Sequence, residues 1–345
     1  MLSKIISSQK ISKLEDLLDE GDKMVIVTHV SPDGDAIGSS LGLYHYLQEQ
    51  GNDVNIIVPN AFPDFLRWMK GAKEILDAEK YPDYAQRLIE EADLIFCLDF
   101  NVPKRIHQLA PHVVGSNAKK IMIDHHPDPS DFCDLVISHP EISSTSELVF
   151  RLICYLGDFE IMTKASAEAI YTGMMTDTGA FTYNSNSTEI YYIIGELLKK
   201  GIDKDQIYSK VYHSYSECRF RMMGYTLSEK MKIYPEYNTA LINLTKEEQI
   251  RFKAKKGDTE GFANLPLNIE NIIFCVFMRE DNDMIKISLR SQGEFPCNKF
   301  AAQCFNGGGH LNASGGEFFG TLAEAIGVFE KALPEYKVLL QSTQK

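Results

Sequence analysis

Short apolar runs that each finish in aspartate or histidine narrow what this chain can become more than any other feature. MVIVTH (Met24–His29) leads into VSPDGD, LIFCLDF (Leu94–Phe100) carries Asp99 at its end, and KIMIDHH (Lys120–His126) closes on Asp124, His125 and His126. DVNIIVP (Asp53–Pro59) is a further apolar run, without such an ending. Such segments, alternating with helical patterns, read as buried strands of a mostly parallel sheet. The stretch Ala36–Gln50 sets Ile37, Leu41, Tyr44 and Leu47 at helical spacing and stops at Gly51. Ser144-x-x-Glu147 is a capping-box pattern that opens a helix to about Leu156. Two more helices are expected over about 164–176 and 187–200.

A chain of 345 residues exceeds what one core usually serves, so two domains are expected. The first, residues 1–190, is α/β, a parallel sheet with helices on both faces. Residues 191–232, charged and aromatic, read as a helical linker. Residues 233–345 then change character. ALINLT, NIIFCVFMR and MIKISLRS are strands accompanied by two helices at most, which makes a smaller α+β domain.

The net charge of −13 speaks against a long nucleic-acid groove, which needs a basic stripe along many phosphates. It leaves room for a small phosphate-bearing substrate, because bound cations supply positive charge locally and their acidic ligands inflate the negative count. The seven cysteines are scattered, lack a CxxC pair and sit mostly in apolar runs, which fits buried thiols in a reducing cytoplasm. No apolar stretch approaches the roughly 20 residues that span a bilayer. The N-terminal MLSKIISSQKISKLEDLLDEGD reads as an amphipathic helix and not as a signal peptide.

Taken singly, an aspartate at a strand end is usually a cap or turn former. The set is another matter. His29, Asp33 and Asp35 follow the first strand, Asp99 the LIFCL run and Asp124, His125 and His126 the KIMID run, while Asp177 stands where the helix of GMMTDTGAF stops. Ligands of open parallel sheets collect beyond the carboxyl ends of the strands, so four segments would deliver these groups to one edge. Carboxylates converging there repel one another unless cations neutralise them, and an oxygen-rich set with a few imidazoles suits Mn²⁺ or Mg²⁺. Two such ions bridged by one carboxylate form a clamp for attack on phosphorus. Near the C-terminus, Gly307, Gly308 and Gly309 could let backbone amides close around an anion as a nest, with His310 beside it and Arg290 on a nearby strand.

H-V-S-P-D-G-D-A-I-G, L-D-F, I-D-H-H, T-D-T-G-A-F and the late G-G-G-H together resemble the ordered motifs of the DHH phosphoesterase superfamily, in its DHHA1 branch. The similarity runs from about Met24 to Phe319, and length and motif style are nearest to the NrnA-like oligoribonuclease and phosphoadenosine-phosphate phosphatase group. The resemblance implies that His29 and Asp33 bind one ion, that Asp99 bridges, and that Asp35, His125 and Asp177 complete the second site. Asp124 would orient an imidazole from behind, and His126 would sit near the scissile phosphate. Gly307, Gly308, Gly309, His310 and Arg290 would hold the substrate, with Arg105 and Thr145 as further candidates. Family members often carry a small or hydroxyl residue after the bridging aspartate, where Phe100 stands here.

The activity implied is Mn²⁺-dependent hydrolysis of short oligonucleotides lying between the domains, dinucleotides such as pApA among them, and of 3′-phosphoadenosine 5′-phosphate. Mg²⁺ is the alternative metal. Cyclic dinucleotide cleavage is a rival within the class, and a nucleotide-binding regulator with a dead site is a rival outside it. The expected partners are short nucleotides, with neither long duplexes nor membranes, and a homodimer stays open.

Overall fold

The computed structural model describes residues 2–255 and 257–343. It divides into two compact units, Met1–Ser214 and Tyr215–Lys345. The stretch 191–232 is therefore shared between the units and does not stand apart as a linker.

In the first unit, β1 (Lys23–Thr28), β2 (Asp53–Val58), β3 (Leu76–Asp77), β4 (Leu94–Leu98), β5 (Lys119–Asp124) and β6 (Leu135–Ser138) form one sheet in the order β3-β2-β1-β4-β5-β6, every pair parallel. The strands expected from the apolar runs are all present, and the short β3 and β6 extend the two edges. Alternation along each strand feeds two cores: Met24 and Ile26 face one, Val25 and Val27 the other. Helices α1 (Ser8–Glu20), α2 (Gly34–Glu49), α3 (Pro82–Glu91), α4 (Ala110–Gly115), α5 (Thr145–Tyr155), α6 (Lys164–Asp177), α7 (Thr188–Lys199) and α8 (Lys204–Tyr212) complete this unit.

Strand order reverses between β1 and β4: the chain moves outward to β2 and β3 on one side and to β5 and β6 on the other. Crossover loops part at that point and leave a crevice beyond the carboxyl ends. His29 and Asp99 leave the sheet there.

In the second unit, β7 (Lys232–Tyr234), β8 (Thr239–Leu244), β9 (Phe274–Glu280), β10 (Ile285–Ser291), β11 (Gly308–Gly309) and β12 (Ala313–Phe318) form a mixed sheet, β11-β12-β10-β9-β8-β7, in which only β8 and β9 run parallel. The unit also holds α9 (Glu217–Glu229), α10 (Lys246–Arg251), α11 (Cys297–Cys304), α12 (Leu322–Ala332) and α13 (Lys337–Ser342), more helix than the two expected. The α10 and α12 starts are reciprocal capping boxes built by Thr245 with Glu248 and by Thr321 with Glu324. Among the described residues no helix is long and apolar enough to cross a membrane.

Candidate metal centre

The centre grows from chain exits at the switch point. Asp33 ends the loop after β1 and caps α2, its Oδ1 accepting the amides of Asp35 and Ala36 at 3.1 Å each. The cap and the ligand candidate are thus one residue, and its side chain stays half exposed. Asp99 follows β4 with φ 62, a left-handed conformation that aspartate tolerates better than most residues. That turn sends its carboxylate to the crevice while Phe100 goes the other way, fully buried and stacked on Phe132 with centroids 6.2 Å apart. Phe100 therefore packs in the far core and lines no pocket beside Asp99.

Ligand-type atoms gather in overlapping groups. His29, Asp33 and Asp99 form one, Asp35, His125 and Asp177 a second, and in each the offered atoms lie within 4.8 Å of one another. His29 Nε2 stands 3.3 Å from Asp99 Oδ2 and 3.8 Å from Asp33 Oδ1. His125 Nε2 stands 3.5 Å from Asp177 Oδ2, 3.6 Å from Asp99 Oδ1 and 3.9 Å from Asp35 Oδ2. The two oxygens of Asp99 thus face different imidazoles.

Two donors at about 2.1 Å from one ion are about 3.0 Å apart at right angles and about 4.2 Å apart when opposite, so atoms within 4.8 Å of one another stand close to the spacing that one cation imposes. The imidazoles are prepared for it. Nδ1 of His29 lies 2.9 Å from the Val30 carbonyl and Nδ1 of His125 lies 3.2 Å from that of Ile142. A carbonyl only accepts, so Nδ1 carries the proton and Nε2 turns toward the carboxylates, as in metal-bound histidines. The groups hold carboxylates and imidazoles without thiols, which suits a hard divalent ion.

Electrostatics says the same. Asp35 is pushed well above the usual carboxylate range by burial and by the charges of Asp99 and Asp177, against the pull of His125. Burial would depress His29, yet its contacts with Asp33 and Asp99 raise it to about 10. Carboxylates held this close either keep a proton or are neutralised by positive charge among them.

Asp124 and His126 sit beside these groups. Asp124 accepts from the His126 amide at 3.1 Å and meets its Nδ1 at 2.8 Å, which holds that ring. His126 Nδ1 is 3.7 Å from Asp99 Oδ1. Arg105 stands in electrostatic contact with His29 and Asp33, and its Nη1 is buried without a hydrogen-bond partner.

Two expectations need correction. Thr145 is fully buried; its hydroxyl donates to Asp99 Oδ1 at 2.9 Å, so it is closed to a substrate. Its neighbour Ser144 is the true cap of α5, but Glu147 returns to Ser143 and not to Ser144, so only half of the capping box forms. The glycine nest is also absent. Gly307 donates its amide to Ala301 and His310 donates to Ala313, while Gly308 and Gly309 pair with Gly315 and Ser314. Gly309 has φ 138, and a Cβ there would lie 2.7 Å from the Ala313 carbonyl; glycine serves a tight strand crossing. Arg290 on β10 pairs with Ala313, whose carbonyl accepts the His310 amide, so both residues belong to one end of that sheet.

Comparison with known proteins adds the following. The chain matches the model of the DHH family, N-terminal domain, over residues 23–174 and that of the DHHA1 domain over 242–336. It is similar to the bifunctional oligoribonuclease and PAP phosphatase NrnA of Thermus thermophilus, 32% identical over 292 residues, which are 84% of this chain and 82% of that one. It is 26% identical to the cyclic-di-AMP phosphodiesterase PdeA of Listeria monocytogenes over 94% of this chain but 49% of the relative. A crystal structure of an exopolyphosphatase-related protein from Bacteroides fragilis superposes with a TM-score of 0.94 at 63% identity, covering 99% of this chain and all of that one.

Proposed function

Because the chain belongs to the DHH family and carries its DHHA1 domain, and so is a phosphoester-hydrolysing enzyme, we propose that it cleaves very short oligonucleotides such as pApA, together with 3′-phosphoadenosine 5′-phosphate, using two divalent cations, Mn²⁺ foremost. The observation that carries this reading is Asp99, whose two oxygens face the imidazoles of two separate ligand groups.

His29, Asp33 and Asp99 would hold one cation and Asp35, His125 and Asp177 the other, with Asp99 common to both. When bound, the pair lowers the pKa of water and neutralises charge on attacking and leaving oxygens. The remaining work falls to the chain's own groups. Asp124 holds Nδ1 of His126, and Nε2 is the atom assigned to a phosphoryl oxygen. Arg105 brings a guanidinium with an unspent donor, suited to a phosphate oxygen. Arg290 and His310 are assigned to the rest of the nucleotide through their side chains. A second reading, cleavage of cyclic dinucleotides, is supported by the likeness to PdeA over nearly the whole chain.

The test is Asp99→Asn, which keeps the shape and removes the charge. With Mn²⁺ or Mg²⁺ supplied, the variant should lose turnover of pApA and phosphoadenosine phosphate while its circular dichroism is unchanged; full activity would refute the bridging role. Running wild type on those two compounds, a cyclic dinucleotide and pyrophosphate ranks the substrates. Turnover of none of them would favour a binding regulator.

A further inference from the structure

We infer that Thr145 and the amino end of α5 are the device that orients Asp35 and Asp99, so that one carboxylate can serve both ligand groups; this rests on the two-cation reading. The first two amides of α5 are both spent on Asp35: Thr145 N donates to Oδ2 at 2.7 Å and Ser146 N to Oδ1 at 2.9 Å. The first-turn amides of a helix have no partner within the helix and carry the positive end of its dipole, so a carboxylate held there is both satisfied and fixed. The Thr145 hydroxyl then donates to Asp99 Oδ1 at 2.9 Å. That contact sets the rotation of the carboxylate about its own axis. With Oδ1 pinned between Thr145 and His125, Oδ2 is left directed at His29, 3.3 Å away.

Both acidic side chains and Thr145 are almost wholly buried, so bulk solvent has little access to the place of the hydroxyl. Thr145 is a positioning residue: it reaches neither phosphorus nor solvent, and acts through the two carboxylates it holds. Partners of this kind behind metal ligands typically govern affinity by about 10- to 100-fold.

Thr145→Val keeps the branched shape and deletes the donor; Thr145→Ser restores it. Mn²⁺ binding by isothermal titration calorimetry should weaken at least about tenfold in the valine variant and recover in the serine variant. The KM for pApA should stay near wild type while kcat falls at subsaturating Mn²⁺. The melting temperature in EDTA reports whether folding is disturbed, and Thr145→Ala, which adds no branch, serves if valine is not accommodated. Wild-type Mn²⁺ affinity in the hydroxyl-free variants, with KM raised alone or nothing changed, would overturn the inference. Should wild type itself bind no Mn²⁺, or Asp99→Asn keep its activity, the two-cation reading fails first, and the two failures are told apart.

Discussion

Arg105 can be judged by a single substitution, because its buried Nη1 has no partner and its charge acts on His29 and Asp33. A hydrogen bond to a charged group is worth about 1.5–3 kcal/mol, so Arg105→Ala should raise KM for a dinucleotide by roughly 10- to 150-fold. Mn²⁺ affinity should not fall, since removing a nearby cation cannot hinder another. Steady-state kinetics beside a Mn²⁺ titration checks both, and an unchanged KM removes Arg105 from the substrate site. At this scale the acidic and imidazole residues were legible, since Asp and His at strand exits are poorly explained by packing alone and their order along the chain is specific. Thr145 was harder. The S-x-x-E pattern explains a helix start equally well whether the first residue faces solvent, substrate or a buried carboxylate, and only burial decides. The Gly307–Gly309 run misled for a related reason: three glycines permit an amide cradle or a close strand crossing, and the pairing with Gly315 and Ser314 is a long-range fact.

Two helices bring the ligand residues together, and their approach is set by small side chains. Gly34, Gly38 and Gly42 recur every four residues on the α2 face toward α6; a Cβ on Gly38 would lie 2.6 Å from the Ala169 carbonyl and 2.7 Å from the Gly173 nitrogen. The backbones must nearly touch there for Asp35, near the start of α2, and Asp177, at the end of α6, to meet at His125. That spacing was visible in the chain, yet it gained meaning only when α6 was known as the neighbour. Helix α5 is braced differently. Glu147 accepts from Arg151 at 2.7 and 2.9 Å and from the amide and hydroxyl of Ser143, and Arg151 also meets Glu189 at 2.6 Å. Arg151→Ala strands a buried carboxylate beside the α5 start, so urea unfolding should show a loss of about 3–5 kcal/mol. Its pH dependence follows from Glu189. Burial would raise that pKa, but Arg151 and Ser3 hold it below the ordinary 4.5, so the folded state releases this proton more readily. The contact therefore contributes fully above pH 4.5 and is lost as pH falls through the folded value. The acid limb of the stability curve should be shallower in the variant. Equal limbs would mean that Arg151 does not set the Glu189 pKa.

At the scale of the whole chain, charge decides which substrates can profit from it. The change of pattern near residue 233 announced a second unit, but the division lies at Ser214/Tyr215, because α9 packs with the second sheet through contacts such as Met222 against its strands' core. A helix's own sequence does not say which unit will bury its apolar face. The −13 net charge was legible at once and carries a physical consequence. Each cationic contact with a single strand steepens the dependence of binding on salt by about 0.7 in the logarithmic slope. Arg105, His126, Arg290 and His310 are the side chains assigned to the nucleotide, so the slope for pApA should be no steeper than about −3 between roughly 50 and 200 mM salt. Lengthening the strand adds phosphates but no further assigned cations, while the acidic surface repels the added charge. Dinucleotides should therefore bind at least as tightly as a long single strand, with nearly the same salt slope. Competition between labelled pApA and longer RNAs at several salt concentrations, on Asp99→Asn protein so that nothing is consumed, measures this directly. A long strand that binds many times more tightly, with a slope several units steeper, would reveal a basic track outside the residues assigned here and would end the short-substrate reading.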